Sequence, residues 1–202
     1  MHILITAALE EEMPTIHMQD ASYETLITSV GKVQASVSLA KRLAKPRAPH
    51  IDAILNIGTA GAKPNDGLTI GDIVACNTFI DRDMLKLAQY GTTYKSITKR
   101  NGISLFDKLI AKCKSGVCNT GDSFVTDGHF DGDVCDMEAF AMAQMANAFD
   151  IPLLAIKFVS DIVGSNSVES WEAMLAHARN ALSRLLSEEQ EEVWGFDDTK
   201  NQ

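Results

Sequence analysis

The chain has 202 residues, 46% of them hydrophobic, enough to bury one substantial core but little for a second. Its formal net charge of -9 argues against a nucleic-acid partner, because neutralising phosphates requires clustered lysine and arginine. Cys76, Cys113, Cys118 and Cys135 form no Cys-x-x-Cys pair and no His-containing zinc pattern, so reduced thiols are expected, with no metal and no cofactor. The first residues show neither a basic leader nor a long apolar run, and a cytoplasmic protein with no membrane partner is expected.

Along the chain, a short apolar run at 2–8 predicts a strand buried on both faces, and comparable runs recur at 25–30, 53–57, 72–78 and 153–159. Helical spacing fills the intervals. The stretch 32–44 carries Val33, Val37, Ala40 and Leu43 on one face, and Lys41, Arg42, Lys45 and Arg47 read as its solvated C-terminal end, where the helix dipole favours cations. Further helices are predicted over 104–114, 137–149 and 168–186, the one over 137–149 small and apolar on nearly every side. The least regular segment is 80–102, with Arg82, Asp83, Tyr90 and Tyr94, which suits a substrate loop or a subunit contact. From Glu188 the sequence is acidic and reads as a solvated helix end and a frayed terminus, with Trp194 and Phe196 as anchors to the body. Alternation of this kind predicts an α/β layered fold over 1–202, one domain with an acidic tail from about 188.

Glycine and polar residues cluster where these strands end, in Gly58-Thr59-Ala60-Gly61, Thr120-Gly121-Asp122-Ser123 and Ser160-Asp161. Ligands of layered α/β folds bind beyond strand ends. Three acids stand at such places. Glu12 closes the run Glu10-Glu11-Glu12 after the first strand, and reads either as a first-turn acid or as a carboxylate over the strand end. Glu138, in Asp136-Met137-Glu138, is either a first-turn acid behind an Asp136 N-cap or a buried functional carboxylate. Asp161 is either a turn residue or an acid at a strand mouth. Three acids drawn from distant elements, without metal ligands, suit cleavage of a glycosidic bond, which needs an acid, a base for water, and negative charge near the sugar. His129 reads as a loop residue on the surface.

In order along residues 1–163 the chain carries Ala8-Leu9-Glu10-Glu11-Glu12-Met13, Gly31-Lys32-Val33-Gln34-Ala35, Asn56-Ile57-Gly58-Thr59-Ala60-Gly61, Gly71-Asp72-Ile73-Val74, Gly121-Asp122-Ser123-Phe124-Val125, Met137-Glu138-Ala139 and Ser160-Asp161. Through these motifs it resembles the 5'-methylthioadenosine/S-adenosylhomocysteine nucleosidases of the nucleoside phosphorylase superfamily. The resemblance implies a three-layer α/β/α sandwich around a mixed, partly closed sheet, a homodimer, and hydrolysis of a purine nucleoside to free base and ribose product. It also implies roles. Asp161 would be the general acid at N7 of the purine, Glu12 the base for the attacking water, and Glu138 the ribose binder. Phe124 would stack on the base, the backbone of Val125 would bond its edge, and Met137 would pack on the ribose. Thr59, Ala60, Gly61, Lys157 and Ser160 would complete the substrate site.

Four departures from the family pattern are visible. Lys157 stands where Arg is common, Thr59 where Ser is common, and Asp136 where Glu is usual, shortening its reach toward the sugar or phosphate side; the 80–102 segment is shorter. Rival readings are a purine nucleoside phosphorylase, for which Arg82 and Lys157 are the available cations, a nucleosidase for another nucleoside such as futalosine, and a non-catalytic nucleoside-binding protein.

Overall fold

The structure, a computed structural model, describes residues 1–18, 21–164 and 167–187. The acidic tail from Glu188, with Trp194 and Phe196, lies outside the described residues. In chain order the elements are β1 (His2–Ala7), β2 (Ser22–Ile27), α1 (Lys32–Leu43), β3 (Ala53–Ala62), β4 (Ile73–Asp81), β5 (Lys95–Ile97), α2 (Ser104–Lys112), β6 (Lys114–Thr120), β7 (Val134–Asp136), α3 (Ala139–Ala148), β8 (Leu153–Ile162) and α4 (Ser167–Leu186).

The eight strands of the described residues belong to one sheet, ordered β2-β1-β3-β7-β6-β4-β5, with β8 bonded to both β3 and β4. The path β3-β7-β6-β4-β8 therefore returns to β3 and closes a ring. β3 pairs parallel with β8 and antiparallel with β7, so the sheet is mixed as well as partly closed. One apolar cluster packs α1 and α3 on one face through Ala35, Leu39, Met142 and Ala146. A second packs α2 and α4 on the other through Phe106, Leu109, Ala178 and Leu182. These are the three layers expected, and every residue of β3 is buried, as a strand covered on both faces requires.

Several local expectations need correction. β2 begins at Ser22 and is largely exposed, because among the described residues it is an edge strand, paired with β1 alone. The valines of α1 do not face the core. Val33 is 67% and Val37 42% exposed, whereas Ala35 and Leu39 are fully buried, so the inward stripe is the small one beside α3. The segment 80–102 holds a 3-10 turn, Leu85–Tyr90, and the edge strand β5. β6 and β7 were not predicted, since Lys114-Ser115-Gly116-Val117-Cys118-Asn119-Thr120 has no apolar alternation; β6 is held as a parallel partner of β4 and β7. All four cysteines are free thiols, and no described helix is long and apolar enough to cross a membrane.

Two strand ends reach farther than predicted, and this positions the pocket. Gly58 to Gly61 lie within β3, not in a loop after it, and Asp161 lies within β8. The β3–β8 register slips by one residue, from Ala60 opposite Val159 to Gly61 opposite Asp161, leaving Ser160 as the extra residue. A bulge of this kind bends the strand and re-aims its side chains, and it falls at the pocket wall.

Candidate active site

One pocket gathers nearly all of the predicted site residues. Glu12, Thr59, Ala60, Gly61, Phe124, Val125, Met137, Glu138, Ser160 and Asp161 line it, joined by Leu9, Val30, Arg82, Cys135, Asp136, Val168 and Trp171. Lys157 does not line the wall; its partner Asp136 does.

Glu12 ends a short 3-10 turn that follows β1, and it is 5% exposed. Its Oε1 accepts from the Thr59 N–H at 2.9 Å and from the Thr59 hydroxyl at 2.6 Å, and Oε2 accepts from the Leu9 N–H at 3.3 Å. These bonds hold the carboxylate over β3 and place it at the strand mouth, not in the first turn of a solvated helix.

Glu138 has non-helical backbone angles just before α3, yet its side chain does not cap that helix. Its Oε1 accepts the N–H of Gly31, 107 residues away, at 2.8 Å. The first turn of α3 is served by others: Asp136 Oδ2 accepts from the Ala139 N–H at 2.9 Å and Thr120 Oγ1 from the Phe140 N–H at 3.0 Å. Capping is therefore the work of Asp136 and Thr120, and Glu138 faces the cavity. Burial drives its carboxyl up to about 7, helped by Asp136 and Glu12 and opposed by Lys157 and the Gly31 N–H.

Asp136 serves as the helix cap that one reading of the sequence offered, and its other bonds also go to the protein. Its Oδ1 accepts from Thr120 Oγ1 at 2.6 Å, and its Oδ2 from Lys157 Nζ at 2.8 Å besides the helix N–H. Burial would push its carboxyl up, but Lys157 and these donors outweigh burial and hold it below the usual range. Burial likewise opposes the charge of Lys157, and Asp136, Cys118 and Glu138 overcome it, raising the ammonium above its ordinary value. Both ions stay charged.

Asp161 is 2% exposed, and its Oδ1 accepts from the Ser160 hydroxyl at 2.8 Å. Gly61 stands opposite it. A Cβ there would lie 2.8 Å from Val163 Cγ2 and 3.0 Å from Asp161 Oδ2, so only glycine lets the acid lie against the strand. Phe124 lines the pocket while 40% exposed, an apolar surface that suits a flat ligand. His129 is exposed, as expected.

Three roles escaped the sequence. Trp171 of α4 lines the pocket and donates its Nε1–H to Thr59 Oγ1 at 2.9 Å; nothing short of tertiary packing brings residue 171 to residue 59. Lys32 bonds Asp81 at 2.8 Å and Asp83 at 2.6 Å, while its N–H donates to Asp122 Oδ1 at 2.8 Å, which knits the Gly31-Lys32 motif to the 121–123 loop. Arg82 donates to carbonyl oxygens of Asn119, Gly121, Ser123 and Asp136. Its side chain fills the space a Cβ at Gly121 would need, with Nε 2.5 Å from that point. Among the described residues no group of three His, Cys, Asp or Glu is arranged to hold a metal ion.

A family model described as the phosphorylase superfamily matches residues 4–188. A 5'-methylthioadenosine/S-adenosylhomocysteine nucleosidase from Geobacillus sp. (strain WCH70) is 30% identical over 202 residues, covering 87% of this chain and 84% of its own. The chain belongs to this nucleosidase family of the phosphorylase superfamily. Another nucleosidase of that name, from Hydrogenovibrio crunogenus, is 28% identical across 93% of this chain and 97% of its own. Among solved structures, the nucleosidase from S. pneumoniae with a transition-state inhibitor has a TM-score of 0.76 at 21% identity, covering 92% of this chain and 96% of that one. A futalosine hydrolase mutant of Helicobacter pylori has a TM-score of 0.77 at 17% identity, covering 92% and 96%. At these identities the structural likeness shows the nucleosidase family's fold.

The electrostatics of Glu138 can be read directly. Its folded-state value of about 7 exceeds the ordinary 4.5, so between those pH values the folded chain keeps a proton that the unfolded chain has released. This group's contribution to stability is present below 4.5 and is lost as pH rises through about 7. Carboxyl-carbon NMR on glutamate-labelled protein is expected to show Glu138 titrating near pH 7; a midpoint near 4.5 would contradict the burial described.

Proposed function

We propose that the protein hydrolyses the N-glycosidic bond of a purine nucleoside, 5'-methylthioadenosine or S-adenosylhomocysteine, releasing adenine and the ribose product. One observation carries the reading: Glu12, Glu138 and Asp161 converge on one pocket, while Arg82 in its wall and Lys157 behind Asp136 are committed to protein partners. A concentration of carboxylates stabilises the oxocarbenium-like charge that develops on the sugar as the bond breaks. It also repels phosphate. A phosphorylase needs a cationic cradle, but Lys157 is bonded to Asp136, and Arg82 gives its hydrogen bonds to backbone carbonyls.

Phe124 stacks on the purine, with the Val125 backbone along its edge and Met137 against the ribose. Glu138 accepts from ribose hydroxyls. Asp161 donates a proton to N7 as the bond from C1' to N9 breaks and its electron pair passes to the base. Water attacks C1' from the opposite side and gives its proton to Glu12. Proton return from Glu12 to Asp161 through solvent restores the site. Ser160 orients Asp161, and Thr59, Ala60 and Gly61 form the β3 wall.

We propose further that the enzyme is a cytoplasmic homodimer. Val30, Val33 and Val37 are each more than 40% exposed, beside or on α1, and an apolar strip of this sort suits a second copy.

Incubation with 5'-methylthioadenosine, adenosine and inosine, with and without phosphate, is expected to release adenine from the first substrate at the same rate in both buffers. Base released only with phosphate would overturn the hydrolase reading, and no base from any nucleoside would favour a binding protein. Asp161→Asn is expected to lower kcat by at least about 100-fold, the usual worth of a positioned acid, while nucleoside binding by calorimetry persists. Near-native turnover would remove Asp161 from the role.

A further inference from the structure

Thr59 has one hydroxyl proton and two polar neighbours of opposite character. Glu12 Oε1, at 2.6 Å, accepts when ionised, and Trp171 Nε1, at 2.9 Å, can only donate. The order of the chain is therefore forced: indole N–H to hydroxyl oxygen, hydroxyl proton to carboxylate. Without the indole, the hydroxyl could turn its proton toward other acceptors. Thr59 is itself 9% exposed and β-branched, which restricts the rotation of its side chain.

The relay also reaches across layers. Thr59 is in β3, Glu12 in the turn after β1, and Trp171 near the start of α4, so the helix that covers this face of the sheet also orders the hydrogen bonds of the site. Oε1 of Glu12 receives both the N–H and the O–H of Thr59, while Oε2 has a longer bond of 3.3 Å from the Leu9 N–H. That asymmetry fixes one oxygen and orients the other.

We infer that Trp171 is a positioning residue of the hydrolytic site, which fixes the Thr59 hydroxyl so that Glu12 is held in the orientation needed to activate water. This rests on the reading of Glu12 as the base. Trp171 touches no reacting atom in this account and acts through Thr59.

Trp171→Phe keeps a benzene ring as most of the apolar wall and removes the N–H with the rest of the pyrrole ring. It is expected to lower kcat about 5- to 20-fold with KM within about twofold, since an orienting hydrogen bond is lost and the binding surface is retained. Thr59→Val is expected to cost more, and Trp171→Phe in the Thr59→Val background is expected to add nothing, because the tryptophan acts only through that hydroxyl. A kcat for Trp171→Phe within about twofold of wild type, or additive losses in the double variant, would overturn the inference.

A second measurement does not depend on turnover. The indole proton of Trp171, followed by 1H–15N NMR, is expected to move upfield in Glu12→Gln, because the carboxylate no longer polarises the intervening hydroxyl. No change there would overturn the relay. Wild-type protein that cleaves no nucleoside would defeat the functional reading, and the indole measurement would then decide the relay by itself. Active wild-type protein with an inactive Glu12→Gln and an unimpaired Trp171→Phe would defeat this inference alone.

Discussion

Lys157 and Asp136 meet at 2.8 Å with each side chain 2% exposed, and the pocket is built around that contact. Burying two ions costs several kcal/mol for each, and attraction offsets this only when their remaining hydrogen-bonding capacity is also satisfied. Here it is met on the carboxylate side, by the Thr120 hydroxyl and the Ala139 N–H. The pair therefore joins four elements, β6, β7, β8 and α3, at one point. Two acids of the pocket lie close by along the chain, Asp161 in β8 four residues beyond Lys157 and Glu138 just before α3, two beyond Asp136. Its charges act outward as well, since Asp136 pushes Glu138 up while Lys157 pulls it down.

This contact gives a physical sense to two departures from the family pattern. Asp in place of Glu and Lys in place of Arg fall on the two partners of a single ion pair. The ammonium is a compact point charge that satisfies one carboxylate oxygen, where a guanidinium would present a planar fork. The third departure, Thr59, belongs to the hydrogen-bond chain from Trp171 to Glu12.

What could be read from the sequence divides along physical lines. Long apolar runs such as 53–57 and 153–159, and the small apolar helix around Phe140 and Met142, announce themselves because burial on all sides demands uniform composition. β6 and β7 do not, since short strands rich in Lys, Ser, Gly and Asp take their pairing from neighbours already in the sheet. The orientation of α1 was misread for a related reason: valine is more apolar than alanine, but the close approach of α1 to α3 selects Ala35 for the inside. Among the site residues, the three acids and the glycine-rich β3 segment were visible as polar residues at the ends of apolar runs. Trp171, Arg82 and the true partner of Lys157 were not, because each role is a contact between residues at least 21 positions apart.

The central claim is that the Lys157–Asp136 pair is the electrostatic support of the site, tolerated in the interior only because each ion answers the other. Unfolding free energies for Asp136→Asn, Lys157→Met and the double variant, measured by urea titration, test it most directly. Each single change is expected to cost about 3–5 kcal/mol by stranding one buried charge, and the double change distinctly less than their sum. Losses that simply add would show two independent residues and contradict the account.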